Sequence, residues 1–273
     1  MQQVAWGSSK SIGDTSSYSL SGWGATAGYD IPLGNAASVG LTGAYLWGKD
    51  GHRSNELISD HYEGGIYARA GIGPLRAWAR ATIGTINFDS HRTFISTLDG
   101  EALTRTADGS WKGTLYSGTA GLSYEASLGR FSVRPNAAVE YYKLKEKGYS
   151  ETGGGDAFDL AVGARSSDES AANAMLTLGY DIMAAQDEDS SWIRVEAEGG
   201  RRQILSGKLG DTIAQFKDGT PFTLTAEDRT SGWRGGVRVA GGGSSVTFVA
   251  ELNAEQQQGD VSIGGRAGLK LGF

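Results

Sequence analysis

Apolar residues fall at every second position along most of this chain. In the final stretch, VSIGGRAGLKLGF, Val261, Ile263, Gly265, Ala267, Leu269, Leu271 and Phe273 share one side. Ser262, Gly264, Arg266, Gly268, Lys270 and Gly272 share the other. Side chains of a strand alternate between two faces, so the pattern predicts a strand with one greasy face and one polar face. The same alternation recurs at 37–48, 60–73, 75–88, 113–127, 131–145, 170–183, 191–204, 229–241 and 245–256. With 18–30 and the terminal stretch, about eleven strands are predicted. Residues 3–10, QVAWGSSK, are a weaker candidate for a twelfth, and FDLAVGA at 158–164 is its rival. No segment carries a helical period, so no substantial helix is expected.

The connections alternate in length. PLGNA (32–36), GP (73–74), GR (129–130) and GGGS (241–244) are short. Residues 49–59, 89–112, 146–169 and 205–228 read as long, charged, Gly- and Ser-containing loops. Outer-membrane barrels have short periplasmic turns, long extracellular loops and an aromatic girdle in which a terminal Phe would sit. A soluble sandwich produces the same alternation with its polar faces solvated, but nothing in it enforces the loop rhythm. The expected fold is all-β, a 12-stranded antiparallel up-and-down transmembrane β-barrel, the even count following from the bacterial rule.

Composition narrows the picture. There are 43 Gly and 4 Pro, which suits a sheet with an uncrowded inner face and not a disordered tail. The 7 Trp and 11 Tyr favour membrane interfaces. Cysteine is absent, which removes disulfides and thiolate metal sites. A net charge of -6 argues against a nucleic-acid partner. No apolar run reaches the ~18 residues of a spanning helix, which leaves a strand-built barrel untouched. Residues 1–17 lack the basic and apolar regions of a secretory signal, so an exported protein would be represented here by its mature form or a fragment.

The polar faces carry both signs. In a barrel, Arg69, Arg80, Arg134, Arg194, Arg234, Arg238 and Arg266 would line the lumen with Glu125, Glu140, Glu196, Glu198 and Glu251. Replacing Arg194, Arg234 and Arg238 by Glu is then expected to alter conductance more than stability. Catalytic and metal-binding residues are not assigned. His52, Ser54 and Asn55 superficially resemble the His-x-Ser-Asn of an outer-membrane phospholipase, but they read as a loop without an orienting third residue. His52, His61 and His91 could contribute to an omptin-like Asp-His site without any supporting motif. The acidic run Asp187, Glu188, Asp189 reads as a solvated turn.

The middle of the chain carries a family resemblance. PNAAVEYYKLKEKGYSETGGGDAFDLAV (135–162) places Pro135, Glu140, Tyr141, Tyr142, Tyr149, Glu151, Gly153 to Gly155, Phe158, Leu160 and Val162 in order. GATAGYDIPLG (24–34), YEGGIYARAG (62–71), MLTLGYDI (175–182) and the closing GLKLGF accompany it. In this order the pieces resemble the autotransporter β-domain over essentially the whole chain. The resemblance implies a translocator of Gram-negative type V secretion in the outer membrane. It would export an N-terminal passenger absent from this chain. It also implies partnership with outer-membrane lipid and with the barrel-assembly machinery, which would read Phe273, Leu271 and Leu269 as an assembly signal. No cofactor is implied. The division expected is 1–17 as a short N-terminal segment, either first strand or remnant of the passenger linker, and 18–273 as the barrel. The family's lumen helix has no counterpart in 1–17. No Asn-Asn pair occurs, so no self-cleavage is carried over. Alternatives are a passive outer-membrane pore and, less favoured, a barrel enzyme.

Twelve strands ~4.8 Å apart and tilted ~40° enclose a ring about 25 Å wide between backbones. Inward side chains leave roughly 10 Å, enough for one helix or one to two extended strands. A passenger would therefore cross unfolded, or through a ring widened during assembly.

Overall fold

The structure is a computed structural model that describes residues 2–10, 18–52, 55–98, 101–184, 190–226, 229–257 and 260–271. Seventeen strands succeed one another along the chain. The first eight are β1 (Gln2–Lys10), β2 (Tyr18–Leu33), β3 (Ala37–His52), β4 (Asn55–Ile72), β5 (Leu75–Leu98), β6 (Glu101–Tyr124), β7 (Ala126–Leu128) and β8 (Phe131–Glu146). Then come β9 (Tyr149–Ser150), β10 (Leu160–Val162), β11 (Arg165–Met183), β12 (Trp192–Lys208), β13 (Thr212–Phe216) and β14 (Phe222–Leu224). The last three are β15 (Gly232–Gly242), β16 (Val246–Gln257) and β17 (Asp260–Leu271). No helix occurs among the described residues.

A 13-stranded antiparallel sheet runs β11-β12-β15-β16-β17-β1-β2-β3-β4-β5-β6-β8-β7, and β11 also pairs with β8. That pairing, from Arg165↔Glu146 to Tyr180↔Phe131, joins the two ends of the order and closes the ring. β7 continues β6 beyond Glu125 against the same partner, β8, so twelve strands go round the ring. The 3–10 segment is one of them: β1 lies between β17 and β2, in register from Gln2↔Lys270 to Ser9↔Ile263. Among the described residues every strand of the ring is paired on both sides, the requirement for crossing lipid, except that residues 27–33 of β2 run past the start of β1 and pair with β3 alone.

The connections at one end are tight. Gly73 and Gly129 begin two-residue turns between Ile72↔Leu75 and Leu128↔Phe131. Their φ values of 57° and 61° lie where glycine meets no Cβ penalty. At the other end the stretches expected as loops are largely strand. β5 and β6 reach Leu98 and Glu101, making a hairpin of two 24-residue strands. Parts of 146–169 and 205–228 form a separate 4-stranded sheet, β14-β13-β10-β9. Polar residues on both faces hide the strand pattern of these segments once the chain has left the apolar band. FDLAVGA contributes β10 to this small sheet rather than a strand of the ring.

Burial is inverted relative to a soluble protein. Among the described residues the fully enclosed hydrophobic ones are few and small, Ala107, Ala171 and Ala214. Leu41, Ile66, Leu252 and Ile263 are each about 60% exposed, whereas Thr177, Glu196, Asn173 and Ser262 are buried. An apolar surface continuous around a ring far exceeds the patch a soluble monomer tolerates, and lipid is the solvent that fits it. Aromatic residues mark its edges. Phe131 and Tyr180 pack at 4.8 Å near the short turns. Toward the opposite end, Trp23, Tyr45 and Tyr62 pack in series at 5.5 and 5.0 Å, and the Tyr45 hydroxyl donates to Asp60 at 2.5 Å.

Candidate functional site: the lumen and its mouth

Residues of alternate parity face the interior. On β12, Arg194, Glu196, Glu198, Gly200 and Arg202 share the inner side, opposite inward residues of β11 and β15. Glu196 is the hub. Its carboxylate accepts from Arg134 at 3.1 Å and from Arg238, and forms an ion pair with Arg194 Nε at 3.2 Å. Glu125 binds the same two arginines, Arg194 at 2.7 Å and Arg134 at 3.4 Å. Asp181 adds a contact to Arg194 at 3.8 Å. The Glu196 side chain is only 6% exposed. Three guanidinium groups around it compensate a carboxylate that burial alone would make costly.

A second cluster sits one step outward along the same wall. Arg202 bonds Glu169 and lies 3.7 Å from Glu140 and 3.9 Å from Glu255. Arg234 approaches Glu255 at 3.5 Å, and Arg229 reaches Glu169 at 3.6 Å. Elsewhere the pairs are simpler. Arg266 binds Glu251 at 2.7 Å, Arg80 binds Glu63, and Arg69 binds Asp30 at 3.1 Å and the Ser38 hydroxyl at 2.8 Å. Of the expected lining residues, Arg134, Arg194 and Arg238 thus meet at Glu196, and Arg266 meets Glu251. Glu198 stands apart, exposed and with no ion-pair partner among the described residues. Arg202, Glu169, Glu255 and Glu63 were missed as lining residues, although strand parity alone puts Arg202 with Arg194.

The small sheet leans on the inner face of the β5–β6 hairpin at the mouth. Tyr149 of β9 stacks on Trp111 at 4.2 Å, and Trp111 on Phe88 at 5.0 Å. Burial, then the neighbouring Glu151 carboxylate, push the Tyr149 hydroxyl above its ordinary range. Arg92 donates to both Glu151 oxygens, at 2.8 and 2.5 Å, and to the Phe158 carbonyl at 3.1 Å. Glu151 also accepts the Leu160 N–H at 2.9 Å. Phe158 packs on Phe94 at 5.1 Å. Glu146, at the rim, accepts Arg165 at 2.6 and 2.8 Å and the Trp111 indole at 3.0 Å, and Arg165 also reaches the Thr212 hydroxyl at 2.7 Å. Thus the Tyr149, Glu151, Phe158 and Leu160 motif fastens this cap to the hairpin.

Other sequence candidates fall elsewhere. Leu269 and Leu271 face outward at 51% and 42% exposure, opposite Phe248 and Val246, while Phe273 lies outside the described residues. So do Ser54 and the Asp187, Glu188, Asp189 run. His52 ends β3 and Asn55 begins β4. His61 points inward beside Glu63 at 3.8 Å. His91 and Asp108 meet at 2.6 Å, but on the exposed outer face of the hairpin rather than within a cleft.

Comparison with known proteins follows this geometry. The family model described as autotransporter beta-domain matches residues 3–253. No curated protein matches the chain. Among solved structures, the translocator domain of the autotransporter NalP from Neisseria meningitidis is similar with a TM-score of 0.71 and 16% identity. That match covers 100% of this chain and 87% of the other. The beta domain of the Bordetella autotransporter BrkA gives 0.63 and 14%, covering 100% and 98%. The transport unit of the autotransporter AIDA-I from Escherichia coli gives 0.58 and 13%, covering 100% and 89%. At such identities these likenesses speak to the fold, and the family model to kinship. The chain belongs to the autotransporter β-domain family, the outer-membrane barrels of Gram-negative type V secretion.

Proposed function

We propose that this barrel exports a polypeptide joined ahead of β1, entering at the short-turn end and leaving beside the β9–β10–β13–β14 cap. The carrying observation is the placement of β1 between β17 and β2. A passenger preceding Gln2 is thereby tethered at the short-turn end of a ring with a polar interior. Arginines already held by Glu125, Glu196, Glu169 and Glu255 offer little free charge to a passing chain. The lumen can then conduct many sequences without retaining any one. The barrel acts without catalysis, as a conduit. β1 is then both the strand to which the passenger is joined and a part of the wall that β2 to β17 complete. Outward apolar residues contact lipid, and the Leu269 and Leu271 side of β17, with the Phe273 that follows it in the sequence, is the feature read by the assembly machinery.

The test is export of a reporter. A signal peptide and an epitope-tagged, poorly folding passenger are fused ahead of Met1 and expressed in a Gram-negative host. Added protease should remove the epitope from intact cells. An epitope that stays protected while the barrel is inserted and heat-modifiable on a gel would contradict export and favour a passive pore.

A further inference from the structure

The outer face of β6 and β8 carries a lysine stripe within four residues of register. Tyr116 stands opposite Lys143, Thr114 opposite Lys145, and the backbone N–H of Lys147 bonds the carbonyl of Lys112 at 2.9 Å. The Lys145 ammonium lies 5.8 Å from the centre of the Tyr116 ring, so both occupy the same face. That face is the lipid side, because Tyr116, Leu122, Val139 and Tyr141 on it are 38% to 54% exposed.

The height is set by the strand. Phe131 and Tyr141 lie ten residues apart on β8. At ~3.3 Å per residue and ~40° tilt, that is about 25 Å of rise, the thickness of the apolar band. Lys143 and Lys145 come next along β8, where polar headgroups replace acyl chains. The lysine ion pairs among the described residues involve Lys49, Lys208 and Lys217, none of this stripe. Two acidic residues adjoin the stripe on the same face, without an ion pair to its lysines among the described residues. Asp168 is opposite Lys143 but shared in register with Lys208 on its other side, and Asp89 lies beyond Lys112 on β5. Lys112 faces Lys147 across β6 and β8, and like charges so placed repel, a cost removed by a counter-charge from outside the protein. The charge is also local, in a chain whose net charge is -6.

We infer that Lys112, Lys143 and Lys145, with the Tyr116 ring among them and the Tyr141 ring beneath, form a docking surface for a phosphate-bearing lipid headgroup of the outer leaflet. Lysine ammonium groups bind phosphate as point charges, while the rings pack against the first carbons of the acyl chains. The inference rests on the orientation proposed above, with the cap end outside the cell.

The test uses the full chain in detergent micelles and a fluorescent bis-phosphorylated lipid A as probe, read by anisotropy. The triple variant Lys112→Gln/Lys143→Gln/Lys145→Gln should bind about a hundredfold more weakly, at about fivefold per lysine near an anionic surface. The control Lys49→Gln/Lys217→Gln should stay within about twofold. Dephosphorylated lipid should fail to bind, and millimolar inorganic phosphate should not displace the probe. Unchanged binding by the triple variant, or equal binding of dephosphorylated lipid, would overturn the inference. Complete displacement by inorganic phosphate would also overturn it, by identifying a free-anion site. Should the triple variant not fold by gel mobility, Lys143→Gln and Lys145→Gln singly must each lose about fivefold. Orientation is checked separately. Lys145→Cys, in a chain without native cysteine, should react with an impermeant maleimide on intact cells. Failure there with retained micelle binding would refute the orientation and leave the headgroup site standing.

Discussion

The indole of Trp111 lies nearly parallel to the ring of Tyr149, 7° from coplanar and 4.2 Å between centroids. This stack joins a strand of the ring to a strand of the cap. A stacked aromatic pair contributes about 0.5–1.5 kcal/mol beyond the area it buries. Tyr149→Ala should therefore release the cap without opening the barrel. Limited proteolysis should cleave 209–226 several-fold faster, while the heat-modifiable gel shift persists. The stack also predicts a pH response. The Tyr149 hydroxyl is pushed up by burial, so its stabilising contribution is full below its ordinary value of about 10 and declines as pH rises beyond it. Cap cleavage should accelerate in that alkaline window in the wild type and not in Tyr149→Phe.

Glu196 and Glu198 sit two residues apart on the inner side of β12 and should respond oppositely to the same substitution. Glu196→Gln leaves Arg134, Arg194 and Arg238 short of a partner, and stability should fall by about 3 kcal/mol, the low end for breaking a buried pair. Glu198→Gln removes an exposed charge with no described ion-pair partner, so stability should change by less than about 0.5 kcal/mol. Urea unfolding in micelles measures both. Planar-bilayer recordings should show reduced cation preference for Glu198→Gln. The same geometry revises the expectation for Arg194, Arg234 and Arg238. Reversing all three places new carboxylates against Glu125, Glu196 and Glu255, so stability falls along with conductance.

Strand curvature makes some glycines irreplaceable. An added Cβ at Gly65 would overlap the Ala81 carbonyl and the Thr82 side chain, whereas at Gly43 the nearest atom is the Glu63 carbonyl at 3.8 Å. Gly65→Ala should cost about 1–3 kcal/mol through overpacking and lower the folded yield. Gly43→Ala should fold as the wild type does. Refolding yield into micelles, scored by gel shift, compares the two.

The outward leucines of β17 should matter to assembly. Leu269→Asp with Leu271→Asp places two carboxylates on the lipid side of the strand that pairs with β1. Membrane-inserted protein should drop several-fold in cells, with the remainder degraded in the periplasm. Quantitative blotting of outer-membrane fractions measures it.

Much of this fold was legible because lipid imposes a strict code. Each spanning strand must show apolar residues at every second position, and Leu75 to Ile83 or Leu176 to Ile182 do so without interruption. Beyond the apolar band that code lapses. Residues 89–112 alternate polar with polar, so the extended hairpin looked like a loop. In β1 the sequence QVAWGSSK is too short of large apolar residues to declare a face, and only pairing with β2 and β17 places it. Arginines and glutamates of the interior were identifiable by parity. Their partners were not, because Arg134 and Glu196 are 62 residues apart and meet through the closure between β8 and β11. The cap motif was visible as a run of residue types from Tyr149 to Val162, but its attachment to Phe88, Arg92, Phe94 and Trp111 depends on the length of the hairpin.

Crossing within this ring takes a passenger past the inward side chains of β12. A photo-crosslinking residue placed at the inward position of Glu198, or at the outward neighbour Ala197, tests it most directly in cells exporting a stalled passenger. The account predicts crosslinks to the passenger from position 198 and none from 197. Crosslinks from 197, or from neither position while the passenger reaches the surface, would contradict it.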